Sequence, residues 1–319
     1  LDFPDMFGAS APQTNNASMR NRGWELSLNY RGKIGSDIDY SIGGSLSDAT
    51  AEVTEYANPT GTNPAGNWYE GRKVGEIWGY RASGIIQTQE EADEYNAKYN
   101  LSYLTGKAWE PGDVKYIDLN GDNKIDRGDN NLKNMGDLTI IGNTTPRYQY
   151  TFNGSISYKD LSLSMMFQGV AKRDWDPGTA PYFWGSGAYA QVTVFNEHMD
   201  YWREDNKDAY YPKPYIHSAG GVGPFRNKTM QTSDRYLQSG AYCRLKNITL
   251  SYNLPSTWVQ KAGLQKVQVF FSGENLLTFT SLKGMFDPEA IFTSNSYTGE
   301  GGKNYPMNKV VSFGLVVNL

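Results

Sequence analysis

The fold class is decided by residues 24–30, which read Trp24-Glu25-Leu26-Ser27-Leu28-Asn29-Tyr30. Apolar and polar residues alternate throughout this stretch. A period of two puts successive side chains on opposite faces of a β-strand. After a turn around residues 32–35 the alternation resumes with Ile38, Tyr40 and Ile42. The two segments therefore predict a β-hairpin with one apolar and one polar face.

The same alternation recurs along the whole chain of 319 residues. It predicts strands near residues 23–31, 37–47, 147–158, 161–169, 241–253, 265–275 and 308–319. An aromatic content of 14% and 34 glycines also favour strands over helices. We therefore predict an all-β fold.

The connections between these strands alternate between short turns and long loops. The long ones lie near 48–146, 170–240 and 276–307, and each exceeds the roughly 15 residues expected inside a compact domain. Outer-membrane β-barrels have short periplasmic turns and long extracellular loops. The pattern favours such a barrel, with an interfacial aromatic girdle next to the short turns at Tyr30, Tyr40, Tyr158 and Tyr252. A soluble β-sandwich also alternates inward and outward residues and stays open as an alternative.

The predicted strands are too few to enclose a lumen beneath loops of this length. Lipid does not tolerate an open sheet edge, because unpaired backbone groups find no water there. We therefore expect the chain to be part of a larger antiparallel transmembrane barrel, of the class with about 22 strands and a plugged lumen.

Composition excludes several functions. With 30 basic and 34 acidic residues, the net charge of -4 gives no basic surface for nucleic acid. The single cysteine, Cys243, rules out an intrachain disulfide. Neighbouring carboxylates such as Glu90-Glu91 do not have the spacing that glycoside hydrolysis requires. We therefore expect no enzyme activity.

Several motifs occur in an informative order. Asn21-Arg22-Gly23-Trp24-Glu25 opens the first strand, and Gly75–Tyr80, Pro111–Tyr116 and Ser239–Tyr252 follow further along. Together they resemble the landmarks of SusC/RagA-like TonB-dependent outer-membrane transporters. The resemblance covers nearly the whole chain and corresponds to the C-terminal barrel portion of that family. The family's plug domain and TonB box lie in its N-terminal part, which nothing in this chain matches.

This resemblance implies a function in uptake. It implies import of glycans, oligosaccharides or sometimes peptides across a Gram-negative outer membrane, with the chain as a multi-pass barrel segment. A SusD-like surface lipoprotein would act as a lid, and the TonB complex would supply energy. The remaining barrel strands, the plug and the outer-membrane lipids are the other partners it implies.

An acidic loop suggests a metal site. Oxygen ligands recur with the spacing of an EF-hand calcium loop at Asp118, Asn120, Asp122, Lys124 (through its carbonyl), Asp126 and Asp129. Two positions depart from the pattern: Asn123 replaces glycine and Asp129 replaces the longer glutamate. We expect Ca²⁺ here, although a solvated acidic turn without metal stays open.

The second long loop is rich in aromatic and charged residues. Sugars stack their apolar faces on rings and bond their hydroxyls to charged groups. The candidates for contact with substrate or lid are Trp175, Tyr182, Trp184, Tyr189, Trp202 and Tyr211. The same rings also suit packing within the loop. The alternative to a transporter segment is a soluble, calcium-stabilised carbohydrate-binding or adhesion module.

Overall fold

A computed structural model describes residues 15, 17–178, 180–185, 194–215, 228–291 and 304–318. Its strands are β1 (Ala17–Ile34), β2 (Ile38–Tyr56), β3 (Glu76–Tyr80), β4 (Ala82–Ile85), β5 (Val114–Tyr116), β6 (Leu138–Asn143), β7 (Arg147–Tyr158), β8 (Leu161–Lys172), β9 (Asp174–Trp175), β10 (Gln238–Ser239), β11 (Tyr242–Asn253), β12 (Lys266–Thr280) and β13 (Val310–Asn318). Seven of them form one antiparallel sheet in the order β1-β2-β7-β8-β11-β12-β13. The all-β prediction is confirmed.

Several strands of this sheet are longer than predicted. β1 begins at Ala17 and β2 ends at Tyr56, whereas alternation predicted strands near 23–31 and 37–47. The added residues pair backbone to backbone, with Ala17 opposite Tyr56 and Asn21 opposite Ala51. Strand pairing joins backbone groups and does not depend on the polarity of the side chains, so the two strands continue past the predicted bounds.

One face of the sheet is apolar across all seven strands. A row of directly paired residues crosses six of them through Tyr40, Ile156, Leu163, Leu250, Phe271 and Phe313. Directly paired residues project to the same side of a sheet. Leu28 and Phe152 lie on this side as well, because both pair with Gly44. Leu28 is 67% exposed and Phe313 is 79% exposed, so within the described residues no layer covers this face.

The opposite face is polar and rich in hydroxyl groups. Its central row runs through Arg31, Ser41, Ser155, Ser164, Thr249, Ser272 and Ser312. The hydroxyls of Ser41 and Ser155 are hydrogen-bonded at 2.7 Å, as are those of Ser45 and Thr151. The sheet therefore separates an apolar side from a polar side.

All short connections lie at one end of the sheet and all long ones at the other. The short turns are 35–37, 159–160 and 254–265, the last of which contains helix α3 (Ser256–Lys261). The long loops span 57–146, 173–241 and 281–309. They hold the pairs β3-β6, β4-β5 and β9-β10, with helices α1 (Gln89–Lys98) and α2 (Pro181–Trp184). None of the helices among the described residues is long and apolar enough to cross a membrane.

The main hydrophobic core lies in the loops rather than against the sheet. Tyr80, Trp109 and Tyr116 come from the first loop, Phe183 and Tyr236 from the second, and Phe286 from the third. All are buried. The three long loops therefore fold together into one compact cap at one end of the sheet.

Candidate functional site

Three of the predicted contact residues are core residues of the cap. Trp175, Trp184 and Tyr211 are all buried around Phe183. Their ring centroids lie 6.1, 4.9 and 5.6 Å from that of Phe183, each in an edge-to-face arrangement. Such pairs stabilise a fold beyond the area they bury. These rings hold the cap together and offer little surface to a ligand.

The other predicted contact residues differ among themselves. Trp202 is buried, and its indole Nε1 donates to Gln87 Oε1 at 3.0 Å. Tyr182 is 40% exposed, and its ring centroid lies 6.1 Å from that of Phe195. Tyr189 lies outside the described residues. Contact of these residues with a substrate or a lid stays a prediction. Among those described, Tyr182 is the most exposed and so the best placed for such contact.

A small cavity lies next to His198, which contacts the backbone of Tyr182. Its volume is about 210 Å³, and its lining includes Trp184, Met199, Tyr201, Tyr211, Pro214 and Met230. Small-molecule sites usually measure roughly 300–1,000 Å³, so this cavity suits a single ring or side chain. His198 also lines it, with Nδ1 accepting from the backbone N–H of Phe195 at 3.1 Å and Nε2 2.9 Å from the carbonyl of Tyr182. Because Nδ1 accepts, Nε2 carries the proton and donates.

A buried ion pair joins the first and second loops beside this cavity. Lys228 Nζ lies 2.7 Å from Asp113 Oδ2, and neither side chain is exposed. Tyr215 Oη donates to Asp113 Oδ1 at 2.6 Å, and Lys228 Nζ donates to the carbonyl of Ala108 at 2.7 Å. Burial raises the pKa of Asp113, although Lys228 opposes this shift. The pair fixes Tyr215, which lines the cavity.

Gly112 lets the two loops approach this closely. Its φ is +97°, a conformation that residues with a Cβ rarely adopt. A Cβ at this position would lie 2.4 Å from Lys213 Cβ and 2.8 Å from the ring of Trp202. The backbone N–H of Lys213 donates to the carbonyl of Gly112 at 2.9 Å. The second loop therefore packs directly against the Pro-Gly-Asp sequence at 111–113.

The acidic loop is folded by its own side chains. Asp118 accepts from the backbone N–H groups of Gly121 and Asn123, at 2.7 and 2.9 Å. Asp122 accepts from the N–H of Lys124 at 2.9 Å, and Asp126 from that of Gly128 at 2.6 Å. Asn120 and Asp129 also accept hydrogen bonds, from Asp122 N–H and Asn134 Nδ2. Asn123 has a φ of 59°, the left-handed conformation in which it replaces the expected glycine.

Asp137 organises this loop, although the sequence did not single it out. Its fully buried carboxylate accepts from Leu119 N–H at 2.7 Å and Asp126 N–H at 2.9 Å. Burial raises its pKa. Its partners lie 18 and 11 residues earlier, so no local motif could have revealed the role. Across the described ranges, no three His, Cys, Asp or Glu side chains are grouped to hold a metal; calcium binding through Lys124 and its neighbours stays a prediction.

The third loop is fastened to the polar face of the sheet. Arg244, paired with Gln168 and Thr278 on that face, is buried, and its Nη2 lies 2.7 Å from Asp287 Oδ2. Glu289 lies 3.1 Å from Lys246 Nζ. Burial raises the pKa of Asp287, but the hydrogen bond and the charge of Arg244, together with the backbone N–H groups of Glu289 and Met307, outweigh burial and lower this pKa. The third loop therefore reaches the polar face of the sheet.

An antiparallel sheet with one exposed apolar face, one polar face and a cap of long loops at one end defines the class of protein. It is the wall of a large antiparallel transmembrane β-barrel. No model of a known protein family matches the chain.

Within this class the chain is similar to TonB-dependent receptors. It is 28% identical over 332 residues to TonB-dependent receptor P3 of Formosa agariphila, covering 98% of this chain and 30% of that protein. It is 24% identical to TonB-dependent receptor P26 of the same organism, covering 99% of this chain and 31% of that protein. The resemblance seen in the sequence motifs is confirmed. The chain spans about a third of the length of these relatives.

Solved structures agree on the fold. The RagAB peptide transporter aligns with a TM-score of 0.63 at 24% identity, covering 100% of this chain and 31% of that chain. The RagAB peptide importer in its open-open state aligns with a TM-score of 0.65 at 21% identity.

Proposed function

We propose that this chain forms part of the wall and the outer loops of a TonB-dependent importer in the outer membrane of a Gram-negative bacterium. The observation that carries the proposal is the apolar face that crosses all seven strands with its side chains exposed. In water, such a face would drive aggregation, because apolar area exposed to water costs about 25 cal/mol per Å². In lipid the same face has apolar surroundings, and the polar face lines the interior.

The edges of the sheet support a larger barrel. Within the described residues, β1 and β13 each pair with one neighbour only. In hydrocarbon each unpaired backbone group costs several kcal/mol, so further strands must cover both edges. The relatives are about three times as long as this chain, which leaves ample length for these strands and for a plug in the polar interior.

The orientation follows from the loops. The short turns face the periplasm and the cap faces outward, where Tyr182 and the neighbouring cavity meet a substrate or a SusD-like lipoprotein lid. Substrates are glycans, oligosaccharides or peptides, and the TonB complex supplies the energy. Similarity to proteins named as TonB-dependent receptors and as a peptide transporter supports import as the activity.

The test is recovery of the native particle from outer membranes. We expect the chain to resist an alkaline carbonate wash, to require detergent, and to purify within a larger barrel together with a lipoprotein. Deletion of the receptor should abolish TonB-dependent uptake of its substrate. Recovery as a detergent-independent monomer of 35.7 kDa would contradict the proposal and favour the soluble carbohydrate-binding or adhesion module.

A further inference from the structure

The first hairpin extends beyond the other strands of the sheet at the end that carries the long loops. β2 pairs with β7 only as far as Ser47, opposite Gln149, whereas β1 and β2 stay paired up to Ala17 and Tyr56. On the apolar face, a row of paired residues crosses the sheet next to this point through Leu26, Leu46, Tyr150, Gly169, Cys243 and Phe279. The two-stranded extension therefore begins at the margin of the apolar face.

The strand register identifies the side chains that continue the apolar face into this extension. On β1 they are Trp24, Arg22 and Arg20, because alternate residues of a strand share a face. The register shift between β1 and β2 comes only after Arg20, so the alternation holds up to that residue. Asp48, opposite Trp24, is neutralised by its ion pair with Arg147. The face therefore changes from apolar to basic beyond Trp24.

A lysine from the first long loop joins the two arginines. Lys73 forms an antiparallel bridge opposite Glu52, so both side chains lie on the same side of the backbone ladder. Glu52 in turn lies opposite Arg20 on β1. Arg20, Arg22 and Lys73 are all exposed. These three residues form a basic patch that continues the apolar face.

The basic patch keeps a net positive charge. Arg20 Nη2 lies 3.8 Å from Glu52 Oε2, and both side chains are exposed, so this ion pair is weak. Among the described residues, neither Arg22 nor Lys73 forms an ion pair. The only other acid on this face of the extension is Glu55, beyond the register shift. Three cations therefore face two carboxylates, and Arg22, which is nearest to the apolar face, has no acid opposite it.

The length of β1 places the basic patch at the level of lipid headgroups. Ile34 and Trp24 lie ten residues apart on the apolar face. At about 3.4 Å per residue and a tilt of roughly 40°, this separation corresponds to about 26 Å across the membrane, close to the roughly 25 Å apolar band of outer-membrane barrels. By the same measure Arg22 and Arg20 lie about 5 and 10 Å beyond the band.

We propose that the basic patch binds the phosphate groups of a glycolipid in the outer leaflet of the membrane. Arginine binds phosphate through paired N–H donors, and lysine adds a point charge. In the orientation proposed above, this end of β1 faces outward, where the lipids of a Gram-negative outer membrane carry phosphorylated sugars. Because the patch continues the apolar face, it points away from the barrel interior and from any substrate there. This inference rests on the proposed function, since it requires the apolar face to lie in lipid.

The experiment uses the complete receptor in phosphatidylcholine vesicles that contain equal amounts of lipid A, a phosphorylated glucosamine lipid, and of the same lipid without its phosphates. The vesicles are solubilised, and the ratio of the two glycolipids that co-purify with the receptor is measured by mass spectrometry. We expect wild type to favour lipid A and Arg20→Gln/Arg22→Gln to lower the ratio at least twofold. An unchanged ratio in this variant would overturn the proposal.

A matched control removes two charges with the same spacing from the same strand. Arg31→Gln/Lys33→Gln acts on the polar face, near the short turn, and should leave the ratio unchanged. An equal loss in both double variants would overturn the site, because it would reflect total charge alone. Arg20→Lys/Arg22→Lys keeps both charges but loses the paired donors, so it should recover part of the ratio. A ratio as low as that of the glutamine variant would contradict binding by charge.

A final measurement separates lipid phosphate from soluble phosphate. In vesicles without lipid A, radioactive inorganic phosphate should bind equally to wild type and to Arg20→Gln/Arg22→Gln. Greater binding to wild type would assign the basic patch to soluble phosphate and overturn the lipid site. A wild-type receptor that fails to enter the bilayer would overturn the proposed function together with this inference. One that enters the bilayer without preferring lipid A would overturn this inference alone.

Discussion

Asp113 and Lys228 illustrate how strongly one buried pair can tie two loops together. Removing one partner of a buried ion pair leaves an uncompensated charge and costs about 3–5 kcal/mol. We expect Asp113→Asn and Lys228→Met to make the cap more sensitive to protease in detergent-solubilised receptor. The double variant Asp113→Leu/Lys228→Met should recover part of the lost protease resistance, because it removes both buried charges. A control is Arg203→Gln, since the Arg203–Asp205 pair is solvent-exposed.

Asp137 gives a prediction about pH. Its folded-state pKa is raised by burial, so protonation favours the folded loop. The resulting stability is fully present below the unfolded pKa of about 3.9 and is lost as pH rises through the folded value. We expect the acidic loop of the wild type to gain protease resistance as pH falls through this window.

The Asp137→Asn variant serves as the comparison for that titration. Its amide does not ionise, so the gain in protease resistance at low pH should be smaller than in the wild type. Equal pH profiles for the two proteins would show that Asp137 does not titrate in this range. The amide also leaves one backbone N–H without its acceptor, so the variant should be less resistant at neutral pH.

At the scale of single elements, the acidic loop tests the calcium prediction. A ligand that binds only the folded state raises its stability. Adding EDTA should lower the melting temperature of the cap, and excess Ca²⁺ should restore it. Asp122→Ala should remove this response, whereas Asp93→Ala on helix α1 should keep it. Complete insensitivity of melting and of loop proteolysis to EDTA would contradict calcium binding.

The cavity lined by His198 and Met199 gives a second prediction at this scale. Met199 lines the cavity and is largely exposed, so Met199→Trp should fill the space without disturbing the core. We expect this variant to weaken binding of the substrate or of the lid at least tenfold. Leu132→Trp, at a similarly exposed position in the first loop, is the matched control. Equal weakening in both variants would mean that the cavity has no specific role.

At the scale of the whole molecule, the two faces of the sheet should respond oppositely to charge. Lys near the middle of the lipid-facing side of a barrel costs about 2–4 kcal/mol. Phe152→Lys, near the middle of β7, places a charge on the apolar face, whereas Asn153→Lys, one residue later, places it on the polar face. We expect the first variant alone to lose yield in outer membranes and folding stability in vesicles. Similar losses in both variants would contradict the assignment of the faces.

The sequence alone determined that the fold is all-β, that its strands have one apolar and one polar face, and that short turns alternate with long loops. Each of these depends on local periodicity or on the spacing between periodic segments, and both can be read from residues such as Trp24–Tyr30. Helix α1 (Gln89–Lys98) also has local signals, because Thr88 caps its first turn and Glu90 and Glu91 place negative charge there.

Only the tertiary structure decided what the loop residues do. Trp175, Trp184 and Tyr211 are chemically suited to stack on a sugar, yet they pack around Phe183, because three loops distant in sequence converge there. Asp137 and the Asp113–Lys228 pair escaped notice for the same reason, since their partners are set by the chain path and not by spacing. Periodicity encodes which face of a strand is buried, but burial in a cap built from several loops depends on contacts that no local pattern contains.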